Sequence, residues 1–152
     1  MNPETPVSQI MSSRLVTVEP DDRLQKIRQI FEEYGFHHIP VMEMGKLVGI
    51  ISKVDFFRVS HTLSFSLNGQ ERVHSDDHIY TAKDIMTRYP MQLDPDDTVG
   101  LAADIFLANR FHALPVVEAG DLVGIVTSHD LIAYAFAAAF ADAILVEDFS
   151  DI

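Results

Sequence analysis

The sequence has no cysteine, so it can form no disulfide and offers no thiol nucleophile or cysteine ligand for zinc or iron–sulfur sites. It is also poor in basic residues, with 11 Lys and Arg against 23 Asp and Glu and a formal net charge of -12. Nucleic acids and anionic membrane surfaces attract cationic protein surfaces, so we expect neither as a partner.

The sequence also lacks a pattern typical of a secretion signal or a membrane span. Residues 1–7 are polar and include two prolines, unlike the apolar core of a signal peptide. The longest apolar run, residues 131–146, contains Asp142 and is short for a bilayer. Because 47% of the residues are hydrophobic and 22% are charged, we expect a folded protein, located in the cytoplasm.

An internal repeat becomes visible when the sequence is shifted by 75 residues against itself. Residues 7–57 then align with residues 82–132 without a gap, and 18 of the 51 aligned pairs are identical. The shared strings include Ile-Met, Pro-Asp-Asp, Phe-His and Leu-Val-Gly-Ile. This agreement is far above chance and predicts two copies of one structural unit.

Each copy is predicted to fold as a strand, a helix, a hairpin and a second helix. In the first copy a strand is expected at Leu15–Val18, and Pro20-Asp21-Asp22 is expected to open a helix with acidic residues in its first turn. The apolar residues of that helix recur at helical spacing and predict one buried face, made of Leu24, Ile27, Ile30, Phe31 and Tyr34.

A glycine turn predicts the hairpin of each copy. Strands are expected at Ile39–Met42 and Lys46–Ile51 around Gly45, and at Leu114–Val117 and Leu122–Val126 around Gly120. A unit of about 50 residues cannot cover both faces of a three-stranded sheet. We therefore predict an α/β fold in which the two copies pack sheet against sheet around a pseudo-twofold axis.

The repeat also predicts the domain boundaries. Repeat 1 is expected at residues 7–61, an exposed loop at residues 62–81, and repeat 2 at residues 82–146 with an extended C-terminal helix. That last helix is rich in alanine and apolar nearly all round. Because a chain of this size has little interior left to bury it, we expect it at a subunit interface.

A hydroxyl residue precedes an aspartate by three positions where each hairpin ends, as Ser52 with Asp55 and Thr127 with Asp130. One interpretation is a capping box, in which the hydroxyl and the carboxylate satisfy free amides at the start of a helix. A second is a nucleotide site, since a helix N-terminus attracts phosphate and a carboxylate can bind a ribose diol. The two interpretations are compatible.

Six motifs in the same order in both copies resemble a known family. They are Ile-Met-(Ser/Thr), Phe-His, (Ile/Leu)-Pro-Val, a glycine hairpin, Leu-Val-Gly-Ile and (Ser/Thr)-x-x-Asp. This arrangement is similar to paired cystathionine-β-synthase (CBS) domains, the Bateman module, over residues 7–57 and 82–134. The resemblance implies two pseudo-symmetric β-α-β-β-α repeats and a regulatory module that is not an enzyme.

The resemblance further implies a ligand and partners. The expected ligand is AMP, ADP, ATP or S-adenosylmethionine, with or without Mg2+, bound in clefts between the repeats and with no catalytic cofactor. The expected partners are a second copy of the chain, forming a homodimer, and an unidentified regulated protein. Neither nucleic acid nor a membrane is implied.

Two sets of ligand-binding residues follow from the resemblance, and no catalytic or metal-binding residue does. In one cleft Thr127 would contact phosphate or ribose, Asp130 the ribose diol and Ile125 the base. Its other residues would be Phe36, His37 and the adenine-lining segment from Ser13 to Val16. The pseudo-symmetric cleft would use Ser52, Asp55, Ile50, Phe111, His112 and the segment from Arg88 to Met91.

The basic residues that usually hold several phosphates in this family are missing, because His38 and Ala113 follow the two Phe-His pairs. Phosphate charge would instead be met by Lys53, Arg14, Arg88, Arg110 or the histidines. This departure favours AMP, ADP or S-adenosylmethionine over ATP.

Three other functions stay open. A structural or protein-interaction module would use the Ser/Thr-x-x-Asp motifs only as caps. A metal-responsive regulator would use His74 and His78, the densest histidine pair of the predicted loop. A hydrolase is the weakest alternative, because no Gly-x-Ser-x-Gly motif accompanies the Ser, His and Asp residues.

Overall fold

The computed structural model describes residues 1–65 and 80–146, with side chains described for residues 1–60 and 80–137. The chain divides into two compact units. Unit 1 comprises Met1–Arg14 and Met91–Ile152, and unit 2 comprises Leu15–Pro90. Because residues 66–79 and the side chains after residue 137 are not described, the predicted loop at 62–81 and the predicted interface helix lie only partly within the described residues.

The described part of unit 2 is a three-stranded antiparallel sheet with three helices. Its elements are α1 (Leu24–Tyr34), β1 (His38–Glu43), β2 (Lys46–Ser52), α2 (Lys53–Phe65), α3 (Ala82–Ile85) and β3 (Thr87–Arg88). The strands lie in the order β1-β2-β3, so β2 is central. Its core joins the sheet to α1 and α2 through fully buried side chains such as Ile27, Phe31, Ile51 and Phe56.

Unit 1 repeats this plan with one strand fewer. Its elements are a 3-10 helix (Val7–Gln9), α4 (Val99–Ala108), β4 (Ala113–Glu118), β5 (Asp121–Thr127) and α5 (Ser128–Val146). The two strands form an antiparallel hairpin. Its core includes the fully buried Val7, Val99, Leu114, Val116 and Val126.

The predicted hairpins are confirmed to within one residue at each strand end. Their turns place two successive residues at positive φ, Met44 (48°) with Gly45 (77°) and Ala119 (50°) with Gly120 (90°). This backbone is that of a type I′ turn, whose twist matches the twist of the two strands that it joins. A glycine at the second position accounts for the turn signal in the sequence.

The first helix of each copy begins later than predicted. Residues 20–22 form a turn, α1 starts at Leu24, and no acidic residue lies in its first turn. Asp22 instead accepts hydrogen bonds from the Glu19 amide (2.8 Å) and from Lys26 Nζ (2.7 Å). Burial raises the pKa of Asp22, but these two hydrogen bonds and the Lys26 charge outweigh it, so that its pKa is lowered.

Two smaller predictions are wrong. Leu15–Val18 is not a strand, since only Val18 forms a bridge, parallel to Val41, before Pro20 removes the next amide donor. Tyr34 is 43% exposed rather than part of the buried face of α1, and its ring stacks on Phe36 with centroids 5.6 Å apart. The other four residues of that face are buried as predicted.

The compact units do not coincide with the sequence repeats. The N-terminal segment of the first copy joins unit 1, where Ser12 exchanges two backbone hydrogen bonds with Ile125 (2.9 and 3.0 Å). The N-terminal segment of the second copy joins unit 2, where β3 pairs with β2. Each hairpin is thus completed by the segment that precedes the other hairpin, and the repeat boundaries at 61, 62, 81 and 82 stay a prediction.

Candidate functional site: two hydroxyl–aspartate junctions

The junction of unit 2 lies where β2 ends at Ser52 and α2 begins at Lys53. The Asp55 amide donates to Ser52 Oγ (3.0 Å), and Ser52 Oγ donates to Asp55 Oδ2 (2.7 Å). The second carboxylate oxygen, Oδ1, lies 3.1 Å from Arg58 Nη1. Ser52 therefore caps α2, and Asp55 is held between a hydroxyl and a guanidinium.

The junction of unit 1 has the same geometry where β5 ends at Thr127. Thr127 donates to Asp130 Oδ2 through both its amide (2.8 Å) and its hydroxyl (2.7 Å), while the Asp130 amide donates to Thr127 Oγ1 (3.2 Å). These three bonds form a complete capping box, which confirms the structural interpretation of the motif. Within the described residues, Asp130 Oδ1 accepts no hydrogen bond.

The junctions are therefore caps, yet each keeps features of a binding site. Asp55 and Asp130 are only half-buried, as are Ser52 and Thr127. Among the described residues, one carboxylate oxygen of Asp130 accepts no hydrogen bond. The corresponding oxygen of Asp55 is in an exposed ion pair with Arg58. A carboxylate of this kind can accept hydrogen bonds from a diol without disturbing the cap on its other oxygen.

The strand beside each junction brings further predicted residues to it. In unit 2, Arg88 of β3 pairs with Gly49 of β2, and Thr87 pairs with Ile50. In unit 1, Ser12 pairs with Ile125, which places Ser13 at the position equivalent to Arg88. Arg88 and Ser13 are both exposed, Ile50 is half-buried and Ile125 is buried.

A glycine permits the close approach of these strands. A Cβ added at Gly49 would lie 3.0 Å from Cγ of Met86, and one added at Gly124 would lie 2.8 Å from Cγ of Met11. Both distances are shorter than carbon atoms tolerate without a shift. The Ile-Met and Leu-Val-Gly-Ile motifs of the repeat are thus two halves of one packing contact.

The Phe-His pairs lie next to the junction of their own unit. The His37 carbonyl accepts a hydrogen bond from the Lys53 amide (2.8 Å), and the His112 carbonyl accepts one from the Ser128 amide (3.0 Å). Both histidines are exposed, and Phe111 is 37% exposed. These contacts place a histidine main chain at the first residue of α2 and of α5.

The structure thus gathers part of each predicted set within one unit. Ile50, Ser52, Asp55 and Arg88 lie in unit 2, and Ser13, Ile125, Thr127 and Asp130 lie in unit 1. The remaining predicted members belong to the other unit in each case, and their role in these sites stays a prediction: Phe36, His37 and Val16 for Thr127, and Phe111, His112 and Met91 for Ser52.

One residue that the sequence analysis missed is Arg58, which pairs with Asp55. The signal was present in the spacing of three positions along α2, at which a cation and a carboxylate face each other. The equivalent residue of the second copy is Ala133, so Asp130 has no such neighbour on α5.

The part of the chain that the structure describes contains no group of three or more residues suited to hold a metal ion. His74 and His78 lie outside the described residues, so the metal-responsive alternative stays a prediction. Among the described helices, none is long and apolar enough to cross a membrane.

Known proteins share this sequence and architecture. The CBS domain family matches residues 7–62 and 82–137. An uncharacterized protein of Methanocaldococcus jannaschii, MJ1426, is 32% identical over 149 residues, which cover 83% of this chain and 88% of that protein. An inosine-5'-monophosphate dehydrogenase of Korarchaeum cryptofilum is 34% identical over 118 residues, but these span 77% of this chain and only 21% of the enzyme.

Solved structures of CBS pairs match as well. CBSX2 from Arabidopsis thaliana, crystallised with AMP, is 25% identical with a TM-score of 0.71, over 88% of this chain and 98% of that chain. The CBS domain pair of MJ0100, crystallised with 5'-methylthioadenosine and S-adenosylmethionine, is 27% identical with a TM-score of 0.72, over 90% and 99% of the two chains. Two copies of the family motif, each with its hairpin and hydroxyl–aspartate junction, thus account for most of the sequence, and the chain belongs to the CBS domain family.

Proposed function

We propose that this chain is a regulatory module that binds an adenosine-containing ligand at its hydroxyl–aspartate junctions and transmits the bound state to another protein. The observation that carries the proposal is the half-buried carboxylate beside a helix N-terminus, present in both units. Structures of similar CBS pairs contain AMP, 5'-methylthioadenosine or S-adenosylmethionine, which share an adenosine. Mg2+ would accompany the phosphorylated ligands only.

The hydrogen-bond pattern indicates how the aspartates would act. The hydroxyl hydrogen of Ser52 and of Thr127 is already donated to a carboxylate, so neither hydroxyl donates to a ligand while this bond persists. The second carboxylate oxygen is the better contact, and it accepts hydrogen bonds. The two hydroxyls of a ribose are hydrogen-bond donors, and in other nucleotide sites a carboxylate binds this diol.

Signalling would follow from a difference in affinity between two conformations of the module. A ligand shifts such an equilibrium only by the amount by which it prefers one state. The regulated partner would read the favoured conformation, and the chain itself would catalyse no reaction. The absence of cysteine fits a reducing compartment such as the cytoplasm.

Replacing both aspartates tests the proposal. Asp55→Ala with Asp130→Ala should abolish the rise in melting temperature that AMP, ADP or S-adenosylmethionine produces in the wild-type chain. A ligand at about 100 times its Kd stabilises the native state by about 2.7 kcal/mol, which is a shift of several degrees. Loss of the carboxylate from each capping motif should cost about 0.5–2 kcal/mol per junction, measured without ligand.

The same melts separate this proposal from a purely structural module. If the wild-type chain melts at one temperature with and without every adenosine ligand, with or without Mg2+, the junctions are only caps. If the double variant keeps the wild-type shift, the chain binds the ligand elsewhere and the assignment of the two aspartates is wrong.

We further propose that the chain forms a homodimer through α5. Among the described side chains of this helix, Ile132 is 55% exposed, Phe136 one turn later is 59% exposed, and Ala133 between them is exposed too. An exposed apolar helix face of this kind is typical of a surface covered by another subunit.

A further inference from the structure

The acidic charge of the chain is distributed very unequally between its two units. Unit 1 contains two basic residues, Arg14 and Arg110, against twelve acidic ones. Unit 2 contains nine basic and eleven acidic residues and is almost neutral. The formal charge of -12 is therefore mostly a property of unit 1, and an anionic ligand would meet very different fields in the two units.

The difference is sharpest around the junctions. In unit 2 three cationic residues lie on the elements that form the junction: Lys53 is the first residue of α2, Arg58 pairs with Asp55, and Arg88 lies on β3, which pairs with β2. The equivalent positions of unit 1, by the shift of 75 residues, hold Ser128, Ala133 and Ser13. Where unit 2 has Asp55 and three cationic residues, unit 1 therefore has Asp130 and three uncharged residues.

Arg14 does not reverse this difference. It is adjacent to Ser13 and is equivalent to Tyr89 of unit 2, and Arg110 precedes Phe111 and His112, so unit 1 has at most two cations near its junction where unit 2 has three. With Asp130 that leaves the unit 1 junction less positive than that of unit 2, inside a unit of strongly negative net charge.

The ion pair at the unit 2 junction is exposed enough to exchange partners. The side chains of Arg58 and Asp55 are 70% and 45% exposed, and exposed pairs of this kind contribute little stability. A phosphate group could therefore compete with Asp55 for Arg58, while Lys53 and the positive end of the α2 dipole add further positive potential.

We infer that the two junctions select different adenosine ligands. The Ser52–Asp55 junction takes an adenosine that carries a 5'-phosphate, and the Thr127–Asp130 junction takes an adenosine whose 5' substituent is uncharged or cationic, such as a thioether or a sulfonium. This inference rests on the proposed function and deepens it, because both junctions recognise the ribose in the same way and differ only in the charge they accept.

Two probes and a matched pair of variants test the inference. Calorimetric titrations of the full chain use AMP and the uncharged 5'-methylthioadenosine, on the wild type, Asp55→Asn and Asp130→Asn. Asparagine keeps an oxygen that can cap the helix but removes the charge. AMP affinity should fall at least about tenfold in Asp55→Asn and stay within twofold in Asp130→Asn, whereas 5'-methylthioadenosine should show the opposite order.

A second pair of variants tests the cations directly. The double variant Lys53→Ser with Arg88→Ser contains the residues that stand at the matching positions of unit 1. It should lower the affinity for AMP about tenfold or more without changing the affinity for 5'-methylthioadenosine. Lys46→Ser is the control, because Lys46 is at the hairpin end of β2, opposite Glu43, and should leave AMP affinity unchanged. AMP affinity should also fall with added salt, and that of the uncharged probe should not.

The outcomes separate this inference from the proposed function. A wild-type chain that binds neither probe overturns both. Suppose instead that the wild-type chain binds both probes. Loss of AMP affinity in Asp130→Asn, or full AMP affinity in Lys53→Ser with Arg88→Ser, would then contradict the selection by charge but not the binding of adenosine.

Discussion

At the scale of single residues, each hairpin turn contains one residue with strained backbone angles, and the sequence gives no sign of this strain. Met44 and Ala119 occupy the left-handed region with φ near 50°, where the side chain of an L-residue crowds the backbone. Gly45 and Gly120 beside them adopt positive φ at no such cost. The glycines made both turns predictable, whereas the strained residue before each glycine is visible only in the backbone angles.

Replacing one strained residue should stabilise the protein. Ala119→Asn puts at the first turn position the residue that best tolerates positive φ before glycine, and should raise the free energy of unfolding by about 0.5–1 kcal/mol. The measurement is urea denaturation at neutral pH. Ala108→Asn, at the end of α4, is the control and should not stabilise. A loss of stability in Ala119→Asn would show that the turn is not of type I′ in solution.

At the scale of elements, helix starts were predicted less well than strands. The Pro-Asp-Asp strings looked like first turns of helices, but the second aspartate of each accepts the amide of the residue before the proline, Asp22 from Glu19 and Asp97 from Asp94 (both 2.8 Å). These local hydrogen bonds compete with helix formation. In unit 1 the cap is then Thr98, which accepts from the Leu101 amide (3.1 Å).

Packing between elements depends on the glycine of each Leu-Val-Gly-Ile strand. Gly124→Ala should destabilise the protein by about 1–3 kcal/mol, because the new methyl group overlaps the Met11 side chain. Met11→Ala should also destabilise it, through lost burial. The double variant should lose less than the sum of the two, since the methyl group then fills space that Met11 vacated.

Thermal and urea unfolding of the four proteins in this cycle measure the coupling. The matching cycle with Gly49→Ala and Met86→Ala is a second test in the other unit, where the same overlap occurs. Additive losses in both cycles would contradict the contact.

At the scale of the whole molecule, the proposed homodimer has a direct test. Light scattering at micromolar concentration should give about twice the chain mass of 17.0 kDa. Ile132→Glu places a charge on the exposed face of α5 and should give the monomer mass with little change in the fold, because burying an unpaired charge is costly. Gln25→Glu, on the exposed face of α1, is the control and should remain dimeric.

A wild-type chain of monomer mass would contradict the dimer. A dimeric mass that survives Ile132→Glu would place the interface on another surface than α5.

The amino-acid sequence by itself determined the local structure and the family. The glycine turns and four of five residues on the buried face of α1 are local patterns, which depend on neighbours a few positions apart. The repeat doubled each of these signals. The hydroxyl–aspartate pairs were also readable in advance, because a residue and its partner three positions later meet in any first helical turn.

Only the tertiary structure decided which segments complete each unit. Val7 is fully buried in unit 1, and its amide donates to the Asp97 carbonyl (2.7 Å), about ninety positions away in the sequence. Ala82 is fully buried in unit 2, and its amide donates to the Asp22 carbonyl (2.8 Å). Such contacts leave no periodicity in the sequence, because the two partners meet only after the chain has folded, and the surroundings of each junction, including its charge, are set by them.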